Sequence, residues 1–169
     1  NRLEPLFADE FAYDRWKRDR VIMPLSDFPC QCAEAPFFLG IDCGSTTTKV
    51  MAIDSRERIV FSDYRPNSGN PVDAVLAALT RFCESLGDSP EKAVVASGKA
   101  TGYGEDLISA AFNLDKGVVE TIAHWRAARK CDPDVSFILD IGGQDMKALF
   151  INDQTISRIE INEACSSGC

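Results

Sequence analysis

Two stretches of this sequence combine carboxylates, glycines and hydroxyls in a pattern suited to phosphate chemistry. They read GIDCGSTTTK at residues 40–49 and ILDIGGQDMK at residues 138–147. In each, an aspartate (Asp42 or Asp140) ends an apolar strand pattern and is followed two positions later by glycine. Glycine lets the backbone approach a phosphate closely, and carboxylates bind Mg²⁺, which keeps several of its waters. Two such hairpins, side by side at one edge of a sheet, are predicted to grip a triphosphate and its Mg²⁺.

The first stretch lacks the two familiar phosphate signatures. It contains neither G-x-x-x-x-G-K-[ST] nor a G-x-G-x-x-G that opens a helix. The hydroxyl residues Ser45 and Thr46 are followed instead by a second strand pattern, so a hairpin with a tight turn is predicted. Successive N–H groups in such a turn form an anion-binding concavity. A single Asp-x-Gly is also a common turn sequence. The prediction of a phosphate site therefore depends on the presence of two Asp-x-Gly sequences, each after an apolar strand.

The composition argues against several functional classes. The chain has 169 residues, 45% of them hydrophobic and 26% charged, with a net charge of −8. A nucleic-acid or anionic-membrane partner is therefore not expected, because such partners require clustered Lys and Arg. No apolar run approaches the roughly 18–20 residues that span a bilayer. The seven cysteines are odd in number and irregular in spacing, which argues against a disulfide framework and favours the reducing cytoplasm.

The pattern of elements predicts an α/β fold with a mixed sheet. Strands are predicted at 37–42, 47–54 and 58–65, followed by a helix that Asn70 caps, Pro71 opens and Gly87 ends. A strand at 92–98, a glycine-rich turn with a short helix, a helix at 117–131 and three further strands complete the order. Strands in this order, with right-handed crossovers, are typical of a ribonuclease-H-like half domain with helices on both faces of a central sheet. Residues 1–36, whose second half is interrupted by Pro24, Pro29 and Pro36, are predicted to be an arm or linker.

Five motifs in this order resemble one family. They are GIDCGSTTTK, ATGYG, ETIAHWRAA, ILDIGGQDMK and NEACSSGC. They resemble the activator ATPases of 2-hydroxyacyl-CoA dehydratases and the similar ATPase subunits of benzoyl-CoA reductase, in the acetate kinase, sugar kinase, Hsp70 and actin superfamily. The resemblance covers residues 37–169 and implies an actin-like ATPase lobe that carries both phosphate hairpins and ends before the second lobe. Residues 1–36 look more like the junction in a larger fused protein, of which this chain is expected to be a fragment.

The resemblance implies roles for individual residues. It places the nucleotide at Asp42, Gly44, Ser45, Thr46, Lys49, Gly142, Gly143 and Asp145. It implies catalytic roles for Glu120, Asp140 and Gln144, with Mg²⁺ at Asp42 and Asp140. Glu120 is the candidate to orient water or metal, whereas His124, one turn later, is expected to be structural. Gly102, Tyr103 and Gly104 are expected to shape a turn.

Cys165 matches the cysteine that, in the family's homodimer, helps to hold one [4Fe–4S] cluster between two subunits. Cysteine thiolates are the usual ligands of such clusters. Cys169 departs from the family pattern, and extra ligand, variant ligand and packing residue remain open for it. The resemblance implies one low-potential electron passed to an acyl-CoA dehydratase or reductase, and a second activase subunit or module as partner.

Two other functions remain open at this stage. The same phosphate loops serve small-molecule kinases of the superfamily, although NEACSSGC argues against a kinase. A module that has become a non-catalytic scaffold is the second alternative, and the intact Asp42, Lys49, Glu120 and Asp145 argue against it.

Overall fold

The structure is a computed structural model that describes residues 5–19, 35–87, 94–142 and 145–162. Its elements are α1 (Glu10–Asp19), β1 (Phe37–Cys43), β2 (Thr47–Ile53), β3 (Ile59–Pro66), α2 (Pro71–Ser85), β4 (Val95–Thr101), α3 (Glu105–Phe112), α4 (Glu120–Cys131), β5 (Phe137–Ile141), β6 (Met146–Asn152) and β7 (Thr155–Asn162). This is the predicted order of strands and helices, preceded by the short helix α1. Within these residues, no helix is long and apolar enough to cross a membrane.

The strands form two sheets. β3, β2, β1 and β4 lie in that order in a mixed sheet, in which β1 pairs antiparallel with β2 and parallel with β4. β5, β6 and β7 form a separate antiparallel sheet. The predicted α/β class with a mixed sheet is confirmed, but the strands are divided between two sheets rather than joined in one. Backbone beyond α3 follows the outer edge of β4, because the N–H groups of Asp115 and Val118 donate to the carbonyls of Gly98 and Ala100 (2.9 and 3.0 Å).

The core lies between the mixed sheet and two helices. Ile41 and Val50 from the sheet are buried against Val75 from α2 and Ile108 from α3. Both α2 and α3 therefore lie on one face of the mixed sheet. The alternation of buried and exposed residues along β1 fits a sheet covered on one side.

The start of α2 agrees with the prediction. The Asn70 side chain accepts a hydrogen bond from the Asp73 N–H at 3.3 Å, and Pro71 is the first helical residue. α4 begins later than predicted, at Glu120 rather than 117. Val118 is held against β4 by its backbone, and Val119 is 67% exposed.

A buried ion pair joins α2 to β3 and predicts a pH dependence of stability. Asp63 is 4% exposed and accepts hydrogen bonds from Arg65 Nε (2.6 Å) and Nη2 (2.7 Å), and also from Arg81. The hydrogen bonds from Arg65 lower the pKa of Asp63 although burial opposes them. A lowered folded-state pKa stabilises the fold above the ordinary pKa of about 4, and this contribution is lost as the pH falls through the folded value.

We expect Asp63→Asn to lower the free energy of unfolding at pH 7 by about 1–3 kcal/mol. The difference from wild type should shrink as the pH falls from about 4 toward the lowered pKa of folded Asp63, below which the wild-type carboxylate is protonated in both the folded and the unfolded chain. Urea denaturation across this pH range measures the effect, with the exposed Glu84→Gln on α2 as control. A difference that does not vary with pH would show that lost packing, not charge, causes it.

Candidate functional site: two phosphate hairpins

The two predicted hairpins share one backbone design. Asp42 lies opposite Lys49 in the first, and Asp140 lies opposite Lys147 in the second. The N–H of Gly44 donates to the Thr47 carbonyl, and the N–H of Gly142 donates to the Asp145 carbonyl, both at 2.9 Å. In each hairpin an aspartate therefore ends the first strand, a glycine begins the turn, and a lysine faces the aspartate. The similarity predicted from the two Asp-x-Gly sequences extends to the register.

α4 brings two further polar residues to the second hairpin. Glu120 and His124 are four residues apart and therefore lie on the same side of the helix. His124 Nδ1 lies 2.8 Å from Asp140 Oδ2, and Glu120 Oε2 accepts a hydrogen bond from Lys147 Nζ at 2.6 Å. Ligand atoms of Glu120, His124 and Asp140 all lie within 4.8 Å of one another, close enough to bind one cation together.

Lys147 lies within the second predicted hairpin but was not among the predicted site residues, and its contacts make it a member of the site. It is 9% exposed, and its Nζ also lies 3.1 Å from Asp145 Oδ2. Burial lowers the pKa of Lys147, but hydrogen bonds to Glu120 and Asp145 outweigh burial and raise it. A signal was present in the sequence, because Lys147 follows Asp140 at the spacing at which Lys49 follows Asp42.

Asp42 of the first hairpin interacts electrostatically with Glu120, His124 and Asp140 around the second hairpin. Burial raises the pKa of Asp42, and the nearby carboxylates of Glu120 and Asp140 raise it further. His124 and Lys49 act in the opposite direction. The site thus concentrates negative charge that His124 and Lys49 offset only in part. A bound cation would reduce the repulsion between the carboxylates.

The ATGYG segment is a turn, as expected, and it packs on the first hairpin. Gly102 has a φ of +87°, and a Cβ there would lie 2.7 Å from the Cys43 carbonyl oxygen. The Gly104 N–H donates to that same carbonyl at 2.9 Å, and a Cβ at Gly104 would lie 2.3 Å from Cys43 Sγ. A side chain at either glycine would push this turn away from Asp42 and Cys43.

The remaining predicted site residues lie partly in the two turns and partly outside the described residues. Ser45 and Thr46 lie in the turn of the first hairpin, and Gly142 begins the turn of the second. The other predicted residues fall outside the described residues: Gly143, Gln144, Cys165 and Cys169.

The fold belongs to the class of actin-like ATPases. The solved component A of (R)-2-hydroxyglutaryl-CoA dehydratase from Acidaminococcus fermentans is 27% identical with a TM-score of 0.64, covering 78% of this chain and 49% of that one. The solved activator of 2-hydroxyisocaproyl-CoA dehydratase from Clostridium difficile, with bound ADPNP, is 28% identical with a TM-score of 0.66. The match covers 78% of this chain and 47% of the activator chain.

The sequence comparison specifies the family. The model of the BadF/BadG/BcrA/BcrD ATPase family matches residues 39–169, so the chain belongs to this family. The 2-hydroxyisocaproyl-CoA dehydratase activator of Clostridioides difficile is 32% identical over 135 residues, which are 78% of this chain and 48% of the relative. The predicted resemblance to dehydratase activators is confirmed. The chain spans about half the length of the curated relatives that it matches.

Proposed function

We propose that this chain supplies the phosphate site of an ATP-hydrolysing activase, which drives low-potential electron transfer to an acyl-CoA dehydratase or reductase. The observation that carries the proposal is the convergence of both hairpins. Asp42 from the first, Asp140 from the second, and Glu120 from α4 are close enough to influence one another electrostatically. These residues are far apart in sequence, and plain turns would have no reason to share one charged site.

The donor set fits Mg²⁺. The ion prefers oxygen ligands, keeps several waters and is commonly held by one or two carboxylates together with substrate phosphates. Asp42 and Asp140 are the proposed protein ligands, and Asp42 is partly buried beside the carboxylates of Glu120 and Asp140. When bound, Mg²⁺ would neutralise the charge of the β- and γ-phosphates. The turn at Gly44, Ser45 and Thr46 offers N–H and hydroxyl donors to the same phosphates, and Lys49 lies on the strand that follows.

The side chains around Asp140 are arranged for hydrolysis. His124 holds one oxygen of Asp140 and so fixes the orientation of its carboxylate. Lys147 holds Glu120, which leaves the second oxygen of Glu120 available to orient a water. In the proposed reaction this water attacks the γ-phosphorus, the bond to the β–γ bridging oxygen breaks, and ADP and phosphate leave. Lys147 places positive charge beside Glu120 and Asp145, which limits their repulsion of the nucleotide.

The electron-transfer role depends on residues beyond this site. We propose that Cys165 binds a [4Fe–4S] cluster shared with a second activase subunit or module, and that Cys169 is a packing residue. A cluster held by Cys165 would supply one-electron chemistry for the partner enzyme. Two relatives are named as activators of 2-hydroxyglutaryl-CoA and 2-hydroxyisocaproyl-CoA dehydratases, which supports a dehydratase as that partner. Thiolate ligands favour a cytoplasmic location.

The cluster is tested by anaerobic iron and sulfide analysis with an EPR spectrum on the full-length protein. We expect Cys165→Ala to lose the cluster because a thiolate ligand is removed. Cys83→Ala, at an exposed free cysteine on α2, should keep it. If the wild-type protein binds ATP but contains no cluster, the electron-transfer role is wrong and a kinase or a scaffold becomes the better proposal.

A further inference from the structure

We infer that Asn67 is a positioning residue that holds the first phosphate loop in its binding conformation. The inference rests on the proposed function, because it assigns a role in the same phosphate site. Asn67 lies directly after β3, at the start of the segment that leads to α2, and it is only 5% exposed. Nothing in the sequence motifs of the loop itself identifies this residue, which is 23 positions from Gly44.

All four polar groups of Asn67 are engaged. Its Nδ2 donates to the Gly44 carbonyl at 2.8 Å, and its backbone N–H donates to the Thr46 carbonyl at 2.8 Å. Its Oδ1 accepts a hydrogen bond from the hydroxyl of Thr48, which is 1% exposed. Its own carbonyl accepts from the Asn70 N–H, at the N-cap of α2. Asn67 thus connects the loop, the strand after it and the start of α2.

These bonds orient the loop in the direction that phosphate binding requires. A phosphate is attracted by N–H groups and repelled by carbonyl oxygens. Asn67 engages the carbonyls of Gly44 and Thr46, so both point toward the protein. In a planar trans peptide the N–H points opposite to the carbonyl. The Gly44 carbonyl and the Ser45 N–H belong to the same peptide unit. Because the carbonyl points toward Asn67, the Ser45 N–H points away from Asn67.

The hydrogen bonds made at position 67 require the side chain of asparagine. They are also specific to the first hairpin. The site needs one donor for Gly44 and one acceptor for Thr48 on a single short side chain, and an ionised aspartate offers acceptors only. In the second hairpin Met146 occupies the position of Thr48, opposite Ile141 as Thr48 is opposite Cys43. Methionine has no hydroxyl to donate, so the second loop cannot use the same arrangement.

The test compares Asn67→Ala with Val75→Ala in the full-length protein. Val75 is fully buried in the core between α2 and the sheet, so its truncation lowers stability without touching the loop. The Kd values for ATP and ADP with Mg²⁺ are measured by calorimetry, beside the Tm of each variant. We expect Asn67→Ala to raise the Kd for ATP by about tenfold or more. This is the change in affinity expected when one hydrogen bond that supports binding is lost. ADP should be affected less, because it lacks the γ-phosphate. Val75→Ala should lower Tm and leave both Kd values unchanged.

A second pair of variants keeps the test decisive if Asn67→Ala does not fold. Thr48→Val removes the hydroxyl that holds Asn67 and preserves the shape, whereas Thr48→Ser keeps the hydroxyl. We expect weaker ATP binding in Thr48→Val and near wild-type binding in Thr48→Ser. Unchanged ATP affinity in Asn67→Ala, or in Thr48→Val if only that variant folds, overturns the inference and leaves the proposed function standing. A wild-type protein that binds no ATP overturns the proposed function and the inference together.

Discussion

Asp140→Asn should reduce ATP hydrolysis by about 10²–10³-fold or more while leaving the fold intact. The substitution preserves size and shape, so β5 keeps its pairing with β6 and the amide can still form a hydrogen bond with His124. It removes the negative charge that we propose as a metal ligand and as part of the charge pattern around the γ-phosphate. The measurement is steady-state phosphate release by the full-length protein, together with its circular dichroism spectrum and Tm.

Asp153→Asn is the matched control for this variant. Asp153 is exposed in the β6–β7 turn, on the same sheet, and has a φ of +47°. Asparagine tolerates this left-handed conformation well, so the control changes the same charge without changing the backbone. We expect its hydrolysis rate to equal that of wild type. A normal rate in Asp140→Asn would show that the metal is held elsewhere.

Asp42→Asn should impair function and stabilise the nucleotide-free protein at the same time. Burial and the carboxylates of Glu120 and Asp140 raise the pKa of Asp42. A raised folded-state pKa means that the ionised carboxylate is less favourable in the folded chain than in the unfolded chain. This destabilisation is absent below the ordinary pKa of about 4 and grows until the pH passes the raised folded value. The variant should therefore gain on the order of 1 kcal/mol at neutral pH, as functional sites often do when a charge is neutralised.

The same variant should lose Mg²⁺-dependent ATP binding. We expect a Kd for ATP at least about tenfold weaker in the presence of Mg²⁺, because the proposed metal ligand would be removed and the proposed phosphate-binding turn would lose its neighbour. Unfolding experiments without nucleotide, from pH 3 to pH 8, measure the gain in stability, and calorimetry measures the affinity. Asp153→Asn is again the control. A variant that is less stable than wild type at neutral pH would show that Asp42 already has a compensating partner in the nucleotide-free protein.

Local sequence rules predicted most elements of the fold. Apolar strand patterns indicated β1, β2 and β3, and the Asn70–Pro71 pair identified the start of α2 because both residues act on their own turn. The rules placed the start of α4 too early. Val118 is apolar and suits a buried helical position, but a backbone hydrogen bond to Ala100 in β4 keeps it out of the helix. That bond joins segments 18 residues apart, which a local pattern does not reveal.

The sequence predicted the site residues that lie within a recognisable motif. It did not predict the contacts that join one motif to another. Asp42, Glu120, Asp140 and Asp145 follow from the residue types and the resemblance. Their mutual arrangement does not, because Lys147 reaches Glu120 across 27 residues and the two hairpins belong to different sheets.

By itself, the sequence determined the strands, the two Asp-x-Gly turns and the family, because each is recorded in consecutive residues. Only the tertiary structure decided that β5, β6 and β7 form their own sheet, that Lys147 neutralises Glu120, and that Asn67 holds Gly44. The reason is physical. Register and turn chemistry act between near neighbours, whereas burial, ion pairing and the orientation of a loop carbonyl depend on which distant segments the packed core brings together.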